Sequence, residues 1–504
     1  MKHFNFPPGI KKVAFFHSHV NWPSHLETEL ELMHYFDAQT EVLSYQCNDV
    51  LQRCDGNPHR DLYYCSKCIS KRLKGLQLMR RPFRSIPIQL MGDKLSLDLD
   101  LSIEEFKKMC HHNFDVGYAV LSSVVSIYRD AYPTLRKYAS DFQDFYANSI
   151  QLYDFFIQSF SKEQPDLVVI FNGRFAYTRA LLRACEAMNI PFYTHERGAD
   201  PTKFMMYPKA LPHDMKLYNS IMLEAWNDDS VSLTEKTAIA EKYYQDRMAG
   251  KSQSWFSFVA NQEKEKLPEQ WNPNHYNIGI FLSSEDEFIA IGNTWEAGLF
   301  SNQLVGIQQL FEKLPRKENC HFYIRIHPNS KQSVDFIRNL KALENDAVTV
   351  ILPDSKYSTY KLMMEVDKVI SFGSTVGIEA TFWGKTSVGL GQSFYTALEA
   401  VYFPTSIDMA IQYIDDDSLV PIAKERALPY AYHLATFGYA FQTYKGESIM
   451  VGSFNGTDLN TVRGIKNTFF NNAIRRWGWF GRKLYNLEFK LRYNYLKNKS
   501  TYGA

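Results

Sequence analysis

The sequence predicts an α/β protein made of two doubly wound domains, each with a mostly parallel sheet. Short apolar runs alternate with helical patterns in both halves of the chain. Most of these runs end in polar residues with Gly or Pro nearby, as the carboxyl ends of buried parallel strands do. A chain of 504 residues is also too long for one hydrophobic core, which favours two large domains.

Composition argues against several other classes of protein. The formal net charge is +1, so no overall field favours nucleic acid, and we expect no nucleic-acid partner. No window approaches the roughly 20 apolar residues of a membrane span. The apolar run at 13–16 is too short for a secretion signal. We therefore expect a cytoplasmic protein whose seven cysteines are thiols or metal ligands rather than disulfides.

The first domain is predicted over residues 1–262. It opens with a strand at 12–19 and a second strand at 41–45. The helix between them is expected to begin at Ser24, which with Glu27 forms a predicted capping box.

A helical insertion at 103–161 is expected to kink or split at Pro133. Two further strands follow at 166–171 and 191–194, separated by a helix at 175–188. The strand, helix and strand continue the doubly wound pattern of the first domain.

Polar and charged residues follow three strands of this domain. They are His17, His19, Asn172, Arg174, His195, Glu196 and Arg197. A carboxylate beside a histidine offers a general base, so Glu196 or His195 is the candidate, with His17 and His19 as competitors. The two arginines suit an anion, since guanidinium groups match phosphate or carboxylate geometry. The alternative is an internal Glu–Arg ion pair that stabilises the loop ends.

The second domain is predicted over residues 275–430, after a linker at 250–274. Its predicted strands are residues 277–284, 323–327, 348–352 and 369–372. Candidate ligand-binding residues at their carboxyl ends are Arg325, His327, Gly373, Ser374, Thr375 and Glu379. A helix is predicted at 374–384, and its free N–H groups next to Gly373 would suit a phosphate. We expect Glu379 to accept from ribose hydroxyls.

Four cysteines form a cluster, Cys47, Cys54, Cys65 and Cys68, with the spacing C-x6-C-x10-C-x2-C. The Cys65–Cys68 pair has the spacing of a zinc or iron–sulfur ligand pair. A structural zinc is favoured here because no ferredoxin-like spacing appears. Buried thiols and a redox pair are the alternatives.

The last segment, 431–504, is predicted to hold helices and a basic, aromatic tail at 463–504. The tail has ten Lys and Arg residues and one acid, Glu488. Basic and aromatic residues at helical spacing favour either docking on an anionic membrane surface or packing back on the first domain.

The chain resembles GT-B-fold glycosyltransferases in its two α/β domains, an R-x-H-P strand end at 325–328 and a G-S-T-x-G-x-E-A-x-x-x-G-K segment at 373–385. More narrowly, with FNGRF at 171–175 and HERG at 195–198, it resembles bacterial capsule and surface-polysaccharide biosynthesis proteins, including a group similar to Kdo transferases. The resemblance covers most of residues 12–400. UDP-N-acetylglucosamine 2-epimerases and glycerol-phosphate polymerases share the layout of the second domain.

This resemblance implies two Rossmann-like domains that face a cleft, and a transferase that needs no catalytic metal. The donor would be a nucleotide sugar with its phosphates at Arg325, His327 and residues 373–375. The acceptor, a glycan or lipid-linked glycan of a growing capsule, exopolysaccharide or O-antigen, would bind the first domain. Such an enzyme would lie in the cytoplasm, with the basic tail favouring the inner face of the plasma membrane. An epimerase, a glycerol-phosphate-type transferase and a non-catalytic scaffold of an assembly complex are the alternative functions.

Overall fold

Both halves of the chain fold around an open, largely parallel β-sheet in this computed structural model. The structure describes residues 3–460 except 80, 91, 93–94, 253–255, 260, 297, 316 and 331–333. The strands are β1 (Lys12–Phe16), β2 (Glu41–Gln46), β3 (Arg84–Pro87), β4 (Leu167–Phe171), β5 (Phe192–Arg197), β6 (Lys203–Pro208), β7 (Tyr276–Phe281), β8 (Cys320–Arg325), β9 (Val348–Ile351), β10 (Lys368–Phe372), β11 (Thr386–Gly391), β12 (Tyr439–Ala440), β13 (Tyr444–Gly446) and β14 (Gly452–Phe454).

Helices connect many of these strands. They are α1 (His25–Met33), α2 (Leu62–Leu78), α3 (Ile103–Lys107), α4 (Val116–Tyr128), α5 (Ala139–Glu163), α6 (Ala176–Ala187), α7 (Met215–Asn227), α8 (Leu233–Met248), α9 (Asn293–Glu296), α10 (Gln303–Lys313), α11 (Val334–Lys341), α12 (Thr359–Glu365), α13 (Val376–Phe382), α14 (Ile407–Asp415) and α15 (Leu428–Thr436). Among the described residues, none of the helices is both long and apolar enough to cross a bilayer.

The chain divides into two compact units. Unit 1 contains Met1–Ile127, Pro133–Pro212 and Gly438–Ala504, and unit 2 contains Tyr128–Tyr132 and His213–Phe437. The sequence-based boundary at residue 262 differs from this division, because α7 and α8 fall in unit 2. The physical reason is burial: α8 places Tyr244 against the Phe382 ring at 4.3 Å and lets its hydroxyl donate to the Ala427 carbonyl at 2.8 Å.

The sheet of unit 1 has the order β3-β2-β1-β4-β5-β6-β12. Strands β1 to β5 run parallel, whereas β6 and β12 pair in the antiparallel sense. Every residue of β4 is buried, as expected for a parallel strand with its two faces covered. The sheet of unit 2 has the order β11-β10-β7-β8-β9, and all its pairs are parallel.

Both sheets therefore share one topology. Numbered within each unit, the first five strands of each have the spatial order 3-2-1-4-5 of a Rossmann-like sheet. The predicted α/β class with two Rossmann-like units is confirmed, and the predicted strands of both units are present. The cleft between the domains stays a prediction.

Helix α1 corrects one expectation. Ser24 has a φ of 62° and makes no side-chain cap, so the predicted capping box is wrong. The helix is also buried all round rather than along one stripe, and it carries three buried glutamates, Glu27, Glu29 and Glu31. Each buried carboxylate has an internal partner, as the cost of burying a charge requires.

The helical insertion has the predicted break. Helix α4 ends at Tyr128 and α5 begins at Ala139, so Pro133 lies between them. The described part of the linker at 250–274 contains no helix or strand and packs on unit 2, where the Trp271 ring lies 5.3 Å from that of Tyr323. The basic tail at 463–504 lies outside the described residues.

Candidate functional site

The strand order predicts a ligand-binding edge in each unit. In open α/β sheets, ligands bind at the carboxyl ends of the strands where the strand order reverses. This point falls between β1 and β4 in unit 1 and between β7 and β10 in unit 2. The predicted residues after β1, β4 and β5 are thus neighbours in unit 1, and those after β8 and β10 gather in unit 2.

A carboxylate that sequence reasoning missed joins two of the predicted histidines. Glu29 Oε2 lies 2.5 Å from His17 Nδ1, and Glu29 Oε1 lies 3.5 Å from His195 Nε2. All three side chains are buried. The only signal in the sequence was the position of Glu29 on the helix after β1, and that helix was expected to bury apolar residues.

The surroundings of Glu29 keep its carboxylate charged. Burial alone would raise the pKa of Glu29, but the nearby charge and hydrogen bond of His17, together with those of His195, lower it below the ordinary value. His17 also meets Ser44 through Nε2 at 3.1 Å. The carboxylate therefore orients the His17 imidazole and lies close to that of His195.

Glu196 is more accessible than Glu29 at the carboxyl edge of the unit 1 sheet. It is partly exposed at the end of β5, and Asn172 Nδ2 donates to its Oε2 at 2.7 Å. The Asn172 side chain is buried and its φ is 54°, so the turn after β4 aims this amide. The Arg197 side chain donates to the Pro23 carbonyl at 3.1 Å, and the Arg174 guanidinium covers the Phe175 ring at 4.7 Å. The structure thus brings Asn172 and Glu196 together.

His19 and His25 are also buried in unit 1. Burial is the main cause that lowers the pKa of His19 to about 3, and it also lowers the pKa of His25 well below the ordinary value. His19 Nε2 lies 3.7 Å from Asp55 Oδ2. Burial raises the pKa of Asp55 to about 6. A neutral, buried imidazole is a weak base at physiological pH, so His19 suits positioning better than proton transfer.

Arg325 lies at the carboxyl edge of the unit 2 sheet. It is 2% exposed at the end of β8. Its Nη1 donates to the Leu352 carbonyl at 2.5 Å and its Nε to Thr359 Oγ1 at 3.3 Å, whereas Nη2 has no hydrogen-bond partner among the described residues. Burial lowers the pKa of Arg325 to about 10, so the group is still cationic at neutral pH. A buried cation with one free NH2 group is suited to an anionic ligand.

His327 lies two residues further along the same loop. Its Nδ1 accepts from the Asn329 backbone at 3.1 Å, which leaves the proton on Nε2. Burial is the main cause that lowers the pKa of His327 to about 4, against the opposing effect of Asp286. The imidazole is therefore a neutral N–H donor at physiological pH.

The loop after β10 brings its backbone close to β11. Gly373 has a φ of 77°, and a Cβ on it would lie 2.6 Å from the Gln392 carbonyl oxygen. The positive φ and the close approach to Gln392 both require glycine at this position. The carbonyl of Ser374 accepts from the Tyr395 hydroxyl at 2.5 Å, and the Thr375 hydroxyl accepts from Arg247 at 3.1 Å. The predicted helix is shorter than expected and begins at Val376.

Glu379 is held inside unit 2 by two partners. Its Oε1 accepts from Arg247 Nη2 at 2.9 Å, and its Oε2 accepts from the Tyr360 hydroxyl at 2.5 Å. The side chain is 1% exposed. This network fixes the start of α13, and the predicted contact of Glu379 with a ribose stays a prediction.

An acidic loop after β7 is the second feature that the sequence did not single out. Burial raises the pKa of Glu285 to about 7, although a hydrogen bond from the Gln303 backbone at 3.1 Å opposes the shift. Asp286 accepts from Ser284 Oγ at 2.5 Å. A carboxyl group that titrates near neutrality at the carboxyl end of a strand has the property of a functional acid or base.

The four clustered cysteines gather around one cavity of unit 1, of about 40 Å³. All four are free thiols, and burial raises the pKa of each. Within the described part of the chain, ligand atoms of three potential metal-binding residues approach within 4.8 Å of one another at His111, His112 and Asp154, not at these cysteines. The zinc prediction is untested.

Taken together, the two Rossmann-like sheets, an anion-suited edge in unit 2 and a carboxylate–histidine edge in unit 1 define the class: an α/β protein with two potential ligand-binding edges. Neither a protein-family model nor a curated protein matches the chain. The solved structures that it resembles include two from Thermosulfurimonas dismutans. The KpsC β-Kdo 2,4 transferase has 13% identity and a TM-score of 0.35 over 54% of this chain and 80% of that one. The KpsC β-Kdo 2,7 transferase has 15% identity and a TM-score of 0.33 over 56% and 80%.

A UDP-GlcNAc 2-epimerase is similar over a longer span. The enzyme from Neisseria meningitidis, bound to UDP-GlcNAc, has 13% identity and a TM-score of 0.25 over 92% of this chain and 100% of that one. The sequence motifs resemble those of the group that includes Kdo transferases, whereas UDP-GlcNAc 2-epimerases share the layout of the second domain. The two-sheet architecture rests on the strand order itself.

Proposed function

We propose that the protein is a glycosyltransferase that moves a sugar from a nucleotide-sugar donor to a growing surface polysaccharide. The observation that carries the proposal is Arg325, a buried cation with one NH2 group left for a ligand at the carboxyl edge of the unit 2 sheet. A nucleotide sugar brings a phosphate anion to such an edge.

The donor phosphates would bind Arg325 Nη2 and the Nε2–H of His327, with the Gly373 backbone at close approach. These groups would stabilise the negative charge that develops on the leaving nucleotide. The charge would then be balanced without a catalytic metal. Ser374 and Thr375 continue the same loop, and their contacts with the donor remain part of the proposal.

The acceptor would bind unit 1, where Glu196 is the proposed general base. In an inverting transfer, the carboxylate takes the proton from the acceptor hydroxyl, whose oxygen attacks the anomeric carbon as the bond to the nucleotide phosphate breaks. Glu196 is preferred over His195 and His17 because it is partly exposed, whereas both histidines are buried against Glu29. His19 is disfavoured by its pKa of about 3. Arg174 and Arg197 would bind anionic groups of the acceptor.

The first test is a thermal-shift screen of the full chain with UDP, CMP, GDP and CDP and their sugar derivatives. We expect at least one of these nucleotides, or its sugar derivative, to raise the melting temperature of the protein. If none of them raises it, donor binding is contradicted. Conversion of the sugar nucleotide to an epimer without any acceptor would favour the epimerase alternative.

The second test replaces the proposed base. We expect Glu196→Gln to lower the rate of sugar transfer by roughly 100-fold or more, the scale of general-base catalysis, while the affinity for the nucleotide stays unchanged. Glu186→Gln is a matched control, because this glutamate lies on α6 of the same unit and its side chain is 39% exposed. Unchanged turnover of Glu196→Gln would remove Glu196 from the mechanism.

A further inference from the structure

The cavity of the cysteine cluster has a lining unlike an ordinary core. Cys47, Cys54, Cys65 and Cys68 line it together with Arg72. Its volume of about 40 Å³ is roughly three times the 10–15 Å³ that one water needs. Two loop residues beside Cys47, Asn48 and Asp49, have φ values of 45° and 75°, so the loop bends sharply where it borders the cavity.

Arg72 points to a negatively charged occupant. The side chain is fully buried on α2, and its Nη2 donates to Asn48 Oδ1 at 2.6 Å. Its Nε and Nη1 atoms have no hydrogen-bond partner in the described part of the chain. A buried guanidinium with two unused donor nitrogens is costly unless an anion lies next to it. The neighbouring cation, Lys71, already pairs with Glu27 at 2.8 Å.

The arrangement of the sulfur atoms does not match a single four-coordinate ion. A tetrahedral zinc with Zn–S bonds of about 2.3 Å would hold its four sulfurs about 4 Å apart. No three of the four sulfurs lie within 4.8 Å of one another, although all four side chains border the same cavity. A polynuclear cluster spreads its thiolate ligands further apart than a single ion does.

We propose that Cys47, Cys54, Cys65 and Cys68 hold an iron–sulfur cluster in this cavity. Four thiolates around such a cluster carry net negative charge, which Arg72 would balance. Asn57 Nδ2 donates to Cys65 Sγ at 3.1 Å, and N–H···S bonds of this kind tune iron–sulfur sites. The site is separate from the proposed donor edge, and it does not depend on the proposed transfer reaction.

The cluster would fix the loop that carries Asp55. This residue follows Cys54 directly and lies 3.7 Å from His19 at the edge of unit 1. The geometry therefore assigns the cluster a positioning role for that loop.

The test uses the full chain purified without oxygen. We expect iron and acid-labile sulfide in about equal amounts, a broad visible absorption that bleaches on reduction, and an electron paramagnetic resonance signal after dithionite. Cys68→Ser should lose most of the iron and sulfide. Cys110→Ser is the matched control, since Cys110 is exposed and should leave both unchanged.

A further variant tests the charge argument. Arg72→Gln should shift the reduction potential of the cluster to a more negative value, because the lost cation no longer stabilises the more negative reduced form. Two results would overturn the proposal: one equivalent of zinc without sulfide, or a wild-type protein that stays free of iron after anaerobic reconstitution with ferrous iron and sulfide.

Discussion

At the residue scale, Arg325 has the clearest expected effect on nucleotide binding. Two of its nitrogens bind the Leu352 carbonyl and the Thr359 hydroxyl, so the side chain is already oriented before a ligand arrives. Such preorganisation lowers the entropy that binding costs.

We expect Arg325→Ala to weaken binding of the nucleotide found in the screen by roughly 10- to 100-fold, the value of one or two charged hydrogen bonds. Isothermal titration would measure the dissociation constant. Arg338→Ala is a matched control in the same unit, since the Arg338 side chain is 71% exposed. An unaltered affinity in Arg325→Ala would place the donor elsewhere.

Glu285 gives a prediction for pH. Its pKa is raised by burial from 4.5 to about 7, so the folded state favours the neutral carboxyl. Stability from this group is present below pH 4.5 and is lost as the pH rises through about 7.

Because Gln mimics the neutral carboxyl, Glu285→Gln should be more stable than wild type at pH 8, by at most about 3 kcal/mol, and equal to it near pH 4.5. The melting temperature across this pH range would measure the difference. Glu287→Gln, on a side chain that is 42% exposed, serves as the control. A gain for Glu285→Gln that is the same at both pH values would contradict this account.

At the element scale, the β10–α13 loop depends on one glycine. Gly373 and Gly384 have nearly the same positive φ, 77° and 76°, but a Cβ would strike the Gln392 carbonyl only at Gly373. Substitution at Gly384 therefore tests backbone strain alone, whereas substitution at Gly373 tests the strain together with the close approach to Gln392.

We expect Gly384→Ala to lower stability by about 1 kcal/mol through backbone strain alone. Gly373→Ala should lower it by more and should also weaken nucleotide binding, because the loop must move away from β11. Thermal unfolding and titration of both variants would measure these effects. Equal losses in the two variants would show that the close approach is unimportant.

The elements also show where sequence patterns were sufficient. Strands such as β4 and β10 are buried over their whole length, so their apolar runs were visible. Ser24 shows the opposite case: the capping-box pattern was present, but the Ser24 backbone is left-handed and its side chain makes no cap hydrogen bond. The weakly apolar β12 and β13 were missed because pairing, rather than composition, defines them.

At the scale of the whole molecule, the chain returns to unit 1 after leaving it. Residues 438–460, the described part of the last segment, belong to unit 1, and Glu31 binds the backbone of this segment. Its carboxylate accepts from the backbone N–H groups of Gln442, Thr443 and Tyr444 at 2.6–3.1 Å.

We expect Glu31→Gln to lower the stability of unit 1 by at least about 2 kcal/mol, because the amide loses the charge and places an NH2 group opposite backbone N–H donors. Hydrogen exchange at residues 442–444 should become faster. Glu104→Gln is the control, since that side chain is 74% exposed. An unchanged rate of hydrogen exchange in Glu31→Gln would mean that other contacts hold residues 442–444 in place.

The sequence by itself determined the α/β class, the two sheets, and most of the polar residues at their carboxyl edges. It could do so because parallel strands are short apolar runs and their ends are polar, which are local properties. Only the tertiary structure decided that Glu29 lies between His17 and His195 and that Arg72 faces the four cysteines. It also decided that 213–262 belongs to unit 2. These facts depend on which buried groups contact one another in the folded chain. The spacing of residues along the sequence does not indicate those contacts.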